Sequence, residues 1–300
     1  MPAEAGKRWH GLFERESKHD PYITMKLSLS TRVAEVPKRK DAALLDLAQI
    51  ARLAKAEAYR ALCMRESQAG LRSTAEELKQ ARQMLDELGL RVSMITGGFD
   101  VPANNERAGM ALRDIGRHLD VAQALGAGLV RVGFKAHTDI PWARRACDEA
   151  AERGVRLVHQ CHVCSPCETV EMTLQIVREV ARENFGLIYE PSNLIACSQD
   201  YGLKTIRALA PHLANVYLQN MWYHPAGKNI IETWINGPMT YDLVPFGDPR
   251  GVDFKAVLGA LAEVGYDGFV TVHHNVANGT DIATGVRDIA AYLRSVASFE

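Results

Sequence analysis

The strongest constraint on the fold is an alternation of short β-rich runs with helical stretches over most of the chain. The runs are KLSLS (26–30), RALCM (60–64), RVSMI (91–95), LVRVG (129–133), RLVHQ (156–160), FGLIY (185–189), ANVYL (214–218) and GFVTV (268–272). Between them, segments such as 41–55, 74–88, 107–125 and 141–153 place Leu, Ile, Met and Ala at helical spacing. Gly89, Gly126 and Gly154 follow three of these segments, where glycine most easily takes the left-handed turn that stops a helix. Most units repeat about every 30 residues, the length of one strand, one crossover helix and two loops. Eight such units predict an α/β protein, a single-domain (β/α)8 TIM barrel over 26–300, preceded by a polar N-terminal arm over 1–25. A doubly wound open sheet is the competing architecture, but no GxGxxG or GxxxxGK[ST] loop follows any strand. The seventh unit is longer than the rest, and its extra segment 221–251, rich in Trp, Tyr, Gly and Pro, predicts a functional loop.

Composition narrows the function classes. Lys+Arg number 35 and Asp+Glu 36, so the formal charge is −1 and lacks the basic excess of a protein that grips a phosphate backbone. No apolar run is long enough to span a bilayer, and residues 1–25 alternate charge with single apolar residues. The expectation is a cytoplasmic protein with no membrane or nucleic-acid partner. The six cysteines, three of them at Cys161, Cys164 and Cys167, read as reduced thiols. The C-x2-C-x2-C run would need Glu171 as its fourth member, and no second CxxC completes a zinc site.

In such a barrel the reactive groups lie at the C-terminal ends of the strands. Those ends supply Arg65, Glu66, Ser67 and Gln68 after strand two, Thr96 and Asn104 after strand three, and His159, Gln160 and His162 after strand five. Strand six ends in Glu190, Ser192 and Asn193, strand seven in Tyr217, Gln219 and Asn220, and strand eight in His273, His274 and Asn275. Metal-capable side chains therefore concentrate on strands five to eight.

The tail GYDGFVTVHHN (265–275), the motif YEPSNL (189–194), the pair Gln160-x-His162 and the segment VYLQN (216–220) together resemble the xylose isomerase-like sugar isomerase/epimerase superfamily from Lys26 onward. The resemblance implies a divalent ion held at the ends of strands five to eight by Glu, Asp, His and Glu. In this chain those positions are Gln160, Glu190, Tyr217 and His273, none identical, with Gln219 able to replace Tyr217 as an amide-oxygen donor. The ligand charge falls from about −3 to about −1, which weakens Mg²⁺ and shifts the expected ion to Mn²⁺, with Co²⁺, Zn²⁺ or Mg²⁺ as alternatives.

The family's epimerases imply two facing bases on strands five and eight, and Gln160 cannot accept a proton. Single-base proton transfer on a small polyhydroxylated carbonyl compound is therefore expected, with Glu190, His273 and His162 as catalytic candidates. Isomerisation is the leading reading, and β-elimination from a keto-sugar is its rival. Two further alternatives are a non-catalytic sugar-binding barrel and endonuclease-IV-like repair, for which these strand ends supply too few zinc ligands. Arg65 and Ser67 are candidates for a substrate carboxylate or phosphate, and Asn193, Tyr217 and Trp222 for other substrate contacts. Against these stand plainer roles. Arg65 could form a salt bridge, Gln160 and Gln219 could buttress another ligand, Asn193 could shape its turn, and Trp222, Tyr223, His224 and Trp234 could form an oligomer contact.

Overall fold

The computed structural model describes residues 24–36, 39–96, 106–276 and 280–300. Nearly all of the expected N-terminal arm, and Asn104, lie outside the described residues. Eight parallel strands close a barrel: Lys26–Ser30, Ala61–Met64, Arg91–Thr96, Leu129–Val132, Arg156–Gln160, Phe185–Tyr189, Leu213–Leu218 and Phe269–Val272, called strands one to eight. Strand one closes the ring by pairing with both strand eight (Leu27 opposite Val270) and strand two (Leu29 opposite Leu62). Helices cover the outside, among them Ala75–Glu87, Ile115–Leu125, Ile140–Glu152 and Ile282–Val296. Gly89, Gly126 and Gly154 carry φ of +68°, +67° and +66°, the left-handed stops expected of them.

Two expectations are revised. The first helix does not begin at Asp41, because Arg39–Ala43 pairs antiparallel with Glu35–Val36. That helix, Leu47–Ala56, starts where Asp46 accepts from the Gln49 N–H and the Gln49 side chain accepts from the Asp46 N–H, a reciprocal cap. The segment after strand seven is not an irregular loop: Met221–Tyr223, Asn229–Thr233 and Gly237–Leu243 form a three-stranded antiparallel sheet.

Strand parity sorts the barrel interior into layers. A polar floor joins Ser28 to Ser93 (2.7 Å) and Thr271 to Asn215 (2.9 Å). Above it Cys63, Met94, Val158, Ile188 and Tyr217 form a buried apolar plug. Two residues further along the same strands, the inward positions are Arg65, Thr96, Gln160, Glu190 and Gln219, joined by Ser30, Arg131 and His273. All eight of these side chains are buried.

Candidate active site

Glu190 is fully buried at the end of strand six. Gln160 Nε2 donates to one of its oxygens at 2.5 Å and Gln219 Nε2 to the other at 2.9 Å. Burial pushes its pKa up to about 7, while the Gln219 and Gln160 hydrogen bonds and the nearby Arg32 and Arg131 guanidinium groups pull in the opposite direction. Three residues singled out from strand ends on three different strands thus meet at one carboxylate. The second oxygen-bearing end of each amide, Gln160 Oε1 and Gln219 Oε1, is buried without a hydrogen-bond partner.

His273 faces the same layer. Its Nδ1 lies 2.9 Å from Ser30 Oγ, and its ring stacks on Tyr217 with centroids 4.0 Å apart. Burial, then the charges of Arg32, Arg65 and Arg131, drive its pKa well below the ordinary histidine range, so the imidazole is neutral. Tyr217 lies in the plug beneath, its hydroxyl 3.3 Å from Cys63 Sγ. His162 places Nδ1 2.9 Å from the Val163 carbonyl, and burial with Arg131 nearby holds it neutral as well. His274 points to the other side of strand eight, where it receives the Asn220 N–H and packs edge-on against Phe246.

Several expected substrate contacts have protein partners instead. Arg65 Nε donates to Glu35 Oε1 at 2.5 Å and Ser67 Oγ donates to the same oxygen at 3.3 Å, because the hairpin that displaces the first helix brings Glu35 to the mouth. Asn193 donates to the Cys161 carbonyl. Trp222 stacks on His224 at 3.7 Å with Arg250 over its ring at 4.4 Å, within the three-stranded sheet. It is Tyr223, beside it, that fastens this sheet to the site, donating to the Ser192 carbonyl at 3.0 Å. Glu168 latches the sheet's far end, accepting from the Cys164 (2.5 Å), Trp234 (2.7 Å) and Ile235 (3.0 Å) N–H groups. The six cysteines form no disulfide.

The donor set does not fit a divalent ion. Both Glu190 oxygens already accept amide N–H bonds, Tyr217 is turned to Cys63, and among the described residues no group of three His, Cys, Asp or Glu converges for a metal. The field is also wrong for a cation. Arg65 acts on both Arg32 and Arg131, and burial together with these three arginines pushes Lys40 down to about 6. Arg32, Arg131, Lys40 and Glu35 were not among the candidates taken from strand ends. Arg131 had a signal, a lone charge in the apolar run LVRVG, whereas the others lie on the turn and hairpin after strand one.

A family model described as "Xylose isomerase-like TIM barrel" matches residues 50–296. The inosose dehydratase of Geobacillus thermodenitrificans is 24% identical over 212 residues, which is 66% of this chain and 62% of that protein. The chain thus spans under two thirds of the length of this curated relative. Among solved structures, the probable 3-DHS dehydratase AsbF of Bacillus anthracis superposes with a TM-score of 0.66 at 14% identity, over 90% of this chain and 99% of that one. A xylose isomerase-like barrel of Mycobacterium smegmatis in complex with magnesium gives 0.62 at 17% identity, over 91% and 98%. At these identities the two structures bear on the fold.

Proposed function

The chain belongs to the xylose isomerase-like TIM barrel family, and on that premise we propose a sugar-modifying enzyme whose single base is Glu190. The carrying observation is that Glu190 is a fully buried carboxylate at the barrel mouth with its pKa near neutrality. It takes the proton from the carbon beside the substrate carbonyl, and the C–H electron pair becomes an enolate. The positive field of the mouth, to which Arg32 and Arg131 contribute at Glu190, favours the enolate. No step is routed through a metal, since the donor set does not fit one.

Gln160 removes the second base that epimerisation would need, so the enolate has two fates. Collapse with loss of the β-hydroxyl, which leaves as water after taking the proton from Glu190, makes the enzyme a dehydratase. This fate is favoured by the resemblance to inosose dehydratase. Transfer of the α-hydroxyl's proton to the enolate oxygen, followed by return of the Glu190 proton to the former carbonyl carbon, makes it an isomerase, the reading expected from sequence. Incubation with keto-inositols, ketohexoses and hydroxylated keto acids in D2O tests both. For the isomerase, deuterium beside the new carbonyl and no loss of water are expected; for the dehydratase, loss of one water. Isomerised product without deuterium, or turnover undiminished in Glu190→Gln, contradicts the proposal.

A further inference from the structure

The barrel mouth is polarised. Strands six and seven contribute Glu190 and Gln219, while strands two and four contribute Arg65 and Arg131, and the turn and hairpin after strand one add Arg32 and Lys40. Of these four basic residues, only Arg65 forms an ion pair among the described residues, with Glu35. Arg32 Nε donates to the neutral amide oxygen of Asn275 at 2.7 Å. Arg131 is 9% exposed, and its Nε is buried with no hydrogen-bond acceptor. Its one close aromatic partner, the Tyr217 ring, lies 5.8 Å from the guanidinium carbon, a weak compensation for a buried charge.

A buried guanidinium held in no ion pair and with no hydrogen-bond acceptor at Nε is costly, and a negative group on a ligand would relieve that cost. In the same inward layer the two unpartnered amide oxygens, Gln160 Oε1 and Gln219 Oε1, are acceptors for hydroxyl donors. We propose that Arg131, with Arg32 facing the same mouth, binds an anionic oxygen group of the substrate, carboxylate or phosphate, making the substrate class a sugar acid or sugar phosphate instead of a neutral sugar. The proposal rests on the reading of this mouth as the substrate site.

Binding to the full chain tests this without turnover. D-gluconate and inorganic phosphate are compared with D-glucose by thermal shift and calorimetry at matched ionic strength. The expected result is a rise in Tm with gluconate, phosphate or both and none with glucose, and a gluconate or phosphate response alone identifies carboxylate or phosphate as the group bound. Arg131→Met is expected to abolish that response while leaving the ligand-free Tm unchanged or higher, since it removes an uncompensated buried charge. Arg131→Lys, which keeps the charge and loses the fork, is expected to weaken binding at least tenfold, and so is Arg32→Ala, which serves if Arg131→Met fails to fold. Glucose binding as well as the anions, no response to either anion, or undiminished anion binding in the Arg131 and Arg32 variants overturns the proposal. Glu190→Gln separates it from the chemistry above: gluconate or phosphate binding survives that substitution even where catalysis does not.

Discussion

Glu190 carries opposite demands, burial that favours its protonated form and two amide N–H donors that favour its charge. As a base it must be ionised, so turnover is expected to rise with pH and level off above a midpoint of about 7. Glu190→Gln is expected to lower kcat by about 10²–10⁴-fold. Gln219→Leu withdraws a hydrogen bond from the ionised form, so its pH–rate midpoint should move upward, a shift that mere loss of packing would not produce. Gln160 and Gln219 were legible from strand ends because strand parity places them. Their donor ends facing Glu190 were not, since an amide can present either end until its neighbours are known.

Among the elements, the sheet after strand seven is fastened to the barrel by side-chain hydrogen bonds, Asn236 to the Ala196 carbonyl among them. Tyr223 holds one side and Glu168 the other, and at Gly227 a Cβ would meet the Tyr241 backbone nitrogen at 2.3 Å, so only glycine fits that approach. Glu168→Ala leaves three backbone N–H groups without their acceptor and should cost about 3 kcal/mol. Limited proteolysis is expected to cut that variant faster around Trp234–Asn236, and an unchanged cleavage rate would show that Glu168 is not the latch. The sequence marked 221–251 as a functional segment from its length and aromatic content. Its sheet was missed because these short strands are interrupted by Gly, Pro and Asn, and their pairing is settled by partners across the turn.

At the scale of the whole molecule, acid stability follows from opposed titrations. Burial lowers His159 to about 4 and His274 to about 3, so between those values and the ordinary 6.5 the unfolded chain binds more protons than the folded one. The stability they hold is full above pH 6.5 and is lost as pH falls. Glu190 acts in the other direction, because its folded pKa of about 7 lies above its unfolded value and acidification to about 4.5 relieves the cost of its charge. Two histidines outweigh one carboxylate, so Tm should drop between pH 7 and pH 5 and the drop should shrink in His274→Asn. A Tm that holds steady or rises on acidification would contradict this sign.

The barrel itself was determined by the sequence alone, because the alternation of strand and helix periods is a local pattern that eight parallel crossovers repeat. So were the positions of Glu190, Gln160, Gln219 and His273 at its mouth. Only the tertiary structure decided what surrounds them. Arg32, Lys40 and Arg131 come from a turn, a hairpin and a strand interior, and their convergence depends on how a closed ring brings distant strands face to face. A ligand reading carried over from strand ends sees side chains one strand at a time, whereas the charge of a site is the sum over every strand that faces it.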